Sequence, residues 1–199
     1  DMIVKAGHRD QWANFLRMTA PIAAVMPWYG VVGNHDVNSI ASQQLYQEMM
    51  NFPGNELYYS FDLLNSHFII LDTETPGQVG GIVGEQLAWL KQDLQTYAVS
   101  AQSLFVFTHR PPFPQGRYRG HNLANADELH QLFCQYGVDV VFSGHEHQYY
   151  TFQKDSVQYV VTGGGGAPIY HGGIGESFHH FLLIELLPKH ISVQIFNAF

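Results

Sequence analysis

Three short segments of this chain concentrate residues that bind metals and move protons. They are Gly33-Asn34-His35-Asp36, Thr108-His109-Arg110 and Gly144-His145-Glu146-His147, and together they carry four histidines, one asparagine and one aspartate. Every candidate ligand among them offers a nitrogen or an oxygen, and no thiolate is nearby. Such a donor set suits Zn, Mn or Fe, and it differs from the closed, often cysteine-rich tetrahedron of a structural zinc site. The His-x-His spacing adds geometry. Residues i and i+2 of an extended chain point to opposite sides. After a glycine turn, two such side chains can address two ions a few ångströms apart. A lone histidine on a loop is more often a surface or hydrogen-bonded residue than a ligand. Three segments with the same chemistry argue against coincidence.

Each segment follows an apolar run: residues 28–32, 104–107 and 138–142. Sites in open α/β sheets form at the carboxyl ends of strands. If these runs are neighbouring strands, their tips converge. Helical spacing of Trp12, Phe15, Leu16 and Thr19 predicts a helix over 9–24, stopped by Pro27. Ser39 is a fitting N-cap for a second helix that continues through Leu45 and Met49. Further helices are expected over 84–97 and over 126–136, the latter ended by Gly137. Residues 57–63 and 67–71 read as two strands joined by a turn at Asn65-Ser66. The last third is mostly strand, at 148–152, 157–162, 181–186 and 191–196. Alternating strands and helices followed by strands predict an α/β domain with mixed sheets, a single domain over 1–199.

Composition bounds the function. The 199 residues include 46% hydrophobic and 13% charged residues, which is a globular balance with a large buried fraction. The formal net charge of -8 argues against nucleic acid or an anionic membrane as a bulk-charge partner. Any phosphate must therefore be held locally. No apolar run approaches the ~20 residues that span a bilayer, and no signal peptide is visible. The single cysteine, Cys134, allows no intrachain disulfide and reads as a small core residue in a helix.

The three motifs, their order and the apolar run before each resemble the last three signature motifs of the calcineurin-like metallophosphoesterases, close to members that resemble purple acid phosphatases. The resemblance covers almost the whole chain. It implies a four-layer α/β/β/α sandwich of two mixed sheets, here lacking its first strand. It also implies a two-metal centre of Mn, Fe or Zn and a phosphate-ester substrate, monoester or diester. The family has two earlier motifs, Asp-x-His and Gly-Asp. Asp1 stands 33 residues before Asn34. The resemblance makes it the aspartate of Gly-Asp, against the alternative of an arbitrary terminus, and implies that the chain is cut at its N-terminus. On that alignment Asp1 would bridge both metals. Asn34, His109 and His145 would bind the second metal, and His147 the first. His35 would protonate the leaving oxygen, with Asp36 orienting it. A chain without Asp-x-His would hold the first metal poorly and is expected to be weakly active or inactive by itself. Resemblance to secreted relatives is the only pointer to a compartment, and it points to export. A non-catalytic interaction scaffold on the same fold is the rival reading, and retention of the motif residues argues against it.

Three of the five arginines, Arg110, Arg117 and Arg119, fall within ten residues. They read either as a clamp for phosphate oxygens or as a solvated loop. Tyr149 and Tyr150 read either as pocket walls or as ordinary strand residues. The run Gly163 to Gly166 lacks the Lys-Ser/Thr of a nucleotide-binding loop, and tight backbone packing explains it better. Purple acid phosphatases carry a tyrosine three residues after the Gly-Asp aspartate. Val4 stands there in this chain, which implies a non-purple relative.

Overall fold

A computed structural model describes residues 1–187 and 190–198. Six strands form the main sheet, in the order β1-β2-β3-β4-β6-β5. They are β1 (Tyr59–Leu63), β2 (Ser66–Leu71), β3 (Ser103–Thr108), β4 (Val140–Ser143), β5 (Tyr149–Lys154) and β6 (Val157–Thr162). β2, β3, β4 and β6 run parallel, while β1 and β5 close the edges antiparallel, so the sheet is mixed. The turn between β1 and β2 falls at Leu64-Asn65, one residue earlier than the sequence suggests. Leu64 takes a positive φ of 56°, as a two-residue hairpin turn requires.

One face of this sheet is covered by α3 (Gly84–Tyr97) and α4 (Ala126–Tyr136). Leu90 and Leu94 of α3 and Leu129 and Phe133 of α4 are buried on it at helical spacing. Each such side chain contributes roughly 1.5–3 kcal/mol on burial. Gly137 ends α4 in the left-handed conformation, with φ 73°. On the other face, Phe105, Val140, Phe142 and Val160 meet Leu182, Ile184 and Leu186 of a second sheet. That sheet is the antiparallel pair β7 (His180–Leu187) and β8 (His190–Asn197). Its outward residues Phe181, Leu183 and Leu187 remain exposed, so no described helix covers it.

The remaining helices are α1 (Arg9–Ala23) and α2 (Ile40–Met49). Ser39 caps α2 as expected, exchanging hydrogen bonds with Ser42. Trp12, Tyr46, Val32 and Ile3 form a separate core between these helices and the segment at 28–32. That segment corrects the sequence reading. It is apolar and partly buried, yet it forms no ladder with any described strand. An alternating or apolar run becomes a strand only where a partner backbone lies beside it, and here Gly30 instead receives the Tyr59 hydroxyl, at 2.9 Å.

The four parallel strands end at one edge. They deliver Asp72, His109, Gly144 and Gly163 there.

Candidate metal centre

β3 and β4 lie in register, Thr108 beside Ser143, and their hydroxyls are 2.8 Å apart. The tips that follow are therefore held at one height. His109 Nε2 and His145 Nδ1 stand 3.0 Å apart, and Asn34 Oδ1 lies 2.9 Å from each. Asn34 arrives on a tight turn that closes from Asp36 and Val37 back onto the Gly33 carbonyl. Asp1 Oδ2 lies 3.5 Å from His109 Nε2, and Asp1 Oδ1 accepts from the His35 backbone N–H at 2.8 Å.

This packing explains Gly33. A Cβ there would meet Asp1 Oδ1 at 2.2 Å and His109 Nδ1 at 2.8 Å. His145 pays for its place with a left-handed backbone, φ 63°, which a non-glycine residue adopts only when its surroundings hold it.

Burial pushes the His109 imidazolium well below its ordinary range, and the amino terminus, His145 and Arg110 add to the effect. Burial, then the Arg110 and His147 charges, bring His145 down to about 3. Both rings are thus neutral and offer lone pairs, which metal binding requires. His109 Nε2, His145 Nδ1 and Asn34 Oδ1 face one point, where a cation would take a lone pair from each. Spacings of 2.9–3.0 Å also match adjacent ligands at about 2.1 Å from a six-coordinate ion. The residues fit a metal.

His147 lines the same cleft, of about 550 Å³, as Asp1, His35, His109 and His145. Its Nδ1–H donates to the Pro168 carbonyl at 2.7 Å, which leaves Nε2 free. His35 is exposed, and its Nδ1 donates to the Val4 carbonyl at 2.6 Å.

Asp36 is a correction. Its carboxylate does not orient His35. It is fully buried and accepts from the backbone N–H groups of Met2 (2.7 Å), Ile3 (3.1 Å) and Gly33 (2.9 Å). It ties the first residues to the turn that carries Asn34.

The arginines divide. Arg110 is held in a two-pronged ion pair by buried Glu74, at 2.7 and 2.9 Å, with its head 3.3 Å from His145 Nε2. Arg117 and Arg119 are exposed, and Arg117 lies over the Tyr170 ring at 4.5 Å.

The tyrosines that wall the site are not Tyr149 and Tyr150. Tyr118 stacks on His145 at 4.9 Å and Tyr170 stacks on His147 at 4.1 Å. Tyr150 instead gives its hydroxyl to buried Glu146, which also accepts from the backbone of Gly116 and Tyr118. Glu146 thereby anchors the arginine loop over the histidines. Glu74, Glu146, Tyr118 and Tyr170 were not singled out by sequence, and only the position of Glu146 inside the third motif hinted at a role.

The glycine run leaves β6 beside the site; its first two residues pack closely, while Gly165 and Gly166 have open space where a Cβ would lie. A Cβ on Gly163 would lie 1.9 Å from the Glu146 carbonyl, and one on Gly164 would lie 2.2 Å from His180 Nδ1.

The profile of the calcineurin-like phosphoesterase family matches residues 3–149. Purple acid phosphatase 23 of Arabidopsis thaliana is 30% identical over 186 residues, covering 83% of this chain and 40% of the relative. Acid phosphatase type 7 of Mus musculus is 30% identical over 154 residues, covering 68% and 35%. The chain thus spans about two-fifths of the first of these curated relatives and about a third of the other. Among solved structures, GAP50, titled the anchor in the inner membrane complex of Plasmodium, superposes with a TM-score of 0.68 at 19% identity, covering 86% of this chain and 62% of that one. A dimetal phosphatase of Danio rerio gives 0.56 at 17% identity, covering 78% and 67%. At these identities the structural likeness speaks for the fold, the metallophosphatase sandwich. No helix among the described residues is long and apolar enough to cross a membrane.

Proposed function

We propose that this chain, which belongs to the calcineurin-like phosphoesterase family, carries most of the metal-binding apparatus of a hydrolase acting on phosphate monoesters or diesters. The observation that supports this reading best is the convergence of Asn34 Oδ1, His109 Nε2 and His145 Nδ1 within 3.0 Å. These three residues would hold one ion. Asp1 would reach the same ion and a second one, and His147 would serve the second through its free Nε2. When bound, two such ions neutralise phosphate oxygens and lower the pKa of a coordinated water.

The chain's own residues supply the rest. His35 stands exposed in the cleft with Nδ1 fixed by Val4, so Nε2 faces outward. With Nδ1–H kept on Val4, a proton taken up at Nε2 from solvent is the one it would give to the leaving oxygen. Arg110, neutralised by Glu74, orders the pocket floor rather than clamping substrate. Arg117, over the Tyr170 ring, and Arg119 are exposed cations of the loop and would meet phosphate oxygens as they enter. Val4 stands where a purple enzyme has its chromophoric tyrosine, and the metal-loaded protein is expected to be colourless.

A second reading, a non-catalytic scaffold, draws on the fold likeness to the Plasmodium anchor protein. The two are separated by hydrolysis of an aryl phosphomonoester and an aryl phosphodiester. Each is assayed with Mn, Zn or Fe and with chelator. The enzyme reading expects metal-dependent turnover that His35→Ala lowers by about 10²-fold or more. Metal binding without turnover of either ester would transfer the case to the scaffold.

A further inference from the structure

A second group of potential ligands lies away from the motifs. His130 and Cys134 are one turn apart on α4, hence on one face of the helix. Asp155 faces them from the turn between β5 and β6, where its backbone is left-handed, φ 49°. His130 Nε2 is 2.7 Å from Asp155 Oδ2 and 3.6 Å from Cys134 Sγ. One ligand atom from each residue fits within a 4.8 Å span.

We propose that His130, Cys134 and Asp155 form an additional binding site for a thiophilic divalent cation of the zinc class, independent of the motif histidines.

Ligands at about 2.05 Å for nitrogen and about 2.3 Å for sulfur subtend about 3.6 Å around a tetrahedral ion. The sulfur stands at that distance from Nε2 but also 3.9 Å from Nδ1, beside the ring, so a turn of the Cys134 side chain would bring it onto an ion held at Nε2. Asp155 is the exposed member on a turn, free to move the half-ångström that an ion between it and Nε2 requires. The other ring nitrogen has its partner in place, because His130 Nδ1 is 2.9 Å from the Tyr159 hydroxyl. Such a contact fixes the tautomer of a metal-bound histidine. Lys154, the nearest cation in sequence, is turned aside, with its ammonium 3.8 Å from Asp127 and over the Phe113 ring. Three protein ligands and a solvent-facing side leave a fourth position for water.

The protons balance. Binding converts the Cys134 thiol to a thiolate and releases one proton to solvent. The His130 proton moves from Nε2 to Nδ1, where the Tyr159 oxygen accepts it. A neutral site results: one dication against one thiolate and one carboxylate. The place in the fold also separates it from the motif centre. β5 carries the chain from the His147 end of the sheet to its far end over six residues, a distance of about 20 Å.

Cobalt(II) tests the proposal on the whole chain, because Cys134 is the only cysteine and the motif centre has no thiol. Titration is expected to raise a near-ultraviolet thiolate-to-cobalt band that saturates at one cobalt per Cys134, beyond what the motif centre takes up. Cys134→Ser should abolish the band while leaving cobalt binding at the motif centre intact. Asp155→Asn, an exposed change that leaves the core untouched, should move half-saturation to at least tenfold higher cobalt. In parallel, zinc should slow alkylation of Cys134 in the unaltered chain and not in Asp155→Asn. A folded chain without the band overturns the proposal. So does a band whose midpoint Asp155→Asn leaves unchanged, since the thiol would then be binding cobalt without the site.

Discussion

The amide oxygen of Asn34 and the Nδ1 of His145 meet at 2.9 Å although 111 residues separate them. His109 Nε2 completes the triangle at 2.9 and 3.0 Å. No covalent proximity or shared element explains the meeting. It is produced by two strand tips and a turn held together by Asp36 and by the empty Cβ position of Gly33.

Asn34→Ala removes one corner of that triangle without touching the core. Metal analysis after dialysis is expected to show the loss of about one equivalent per chain, and calorimetric titration an affinity lower by at least tenfold. Far-ultraviolet circular dichroism should not change. Retention of full metal content would show that the three atoms are not ligands.

Asp36→Ala is expected to act on stability before chemistry. It strips three backbone N–H groups of a buried, charged acceptor, at a cost of about 3 kcal/mol or more. Urea unfolding measures this directly. A variant of unaltered stability with a shifted pH–rate profile would instead restore Asp36 as the partner of His35.

His67 makes stability depend on pH. Its ring is buried, which lowers its pKa, but the hydrogen bonds it donates to Asp93 and Asp62, at 2.8 and 2.7 Å, outweigh burial and raise it above 6.5. The folded chain therefore binds the imidazolium more tightly than the unfolded chain does. That contribution is complete below the unfolded value of about 6.5 and fades as pH rises through the higher folded value. Unfolding free energies measured from about pH 5.5 to about pH 8.5 should fall more steeply for the unaltered chain than for His67→Gln. Parallel curves would refute the clamp.

Glu146→Ala should release the arginine loop. The buried carboxylate loses its hold on Gly116, Tyr118 and Tyr150. Trypsin is then expected to cut after Arg117 or Arg119 several-fold faster, with the remaining sites unaffected. Equal cleavage rates would mean that the stacking of Tyr118 on His145 holds the loop alone.

Much of this was legible in order. The bounds of α3, α4 and β6 follow from helical spacing, from Gly137 and from an apolar run, because those signals are local. The meeting of His109 with His145 was legible too, since each ends an apolar strand and parallel neighbours end together. What escaped the sequence is what depends on partners. Residues 28–32 have the composition of a strand but no partner strand among the described residues. Asp36 follows His35 directly, yet its carboxylate turns to backbone N–H groups more than thirty residues away. Arg110 reads as a free cation until Glu74, at the end of a different strand, is seen to hold it. Cys134 reads as core filler because nothing in its own helix shows that Asp155 faces it.

The locked register of Thr108 and Ser143 has a consequence for what this chain tolerates. Ligand position is set by where two strands stop, and that is fixed by counting residues along β3 and β4. Deleting one residue from either strand would turn its terminal histidine to the opposite face of the sheet. The stretch between His109 and Val140 is under no such count. Extra residues in its exposed parts would lengthen the route between the two ligands and leave their meeting point where it is. The centre is rigid in its rungs and permissive in its connections, so the exposed end of the 115–121 loop is where a sequence could acquire new specificity while the metal chemistry stays in place.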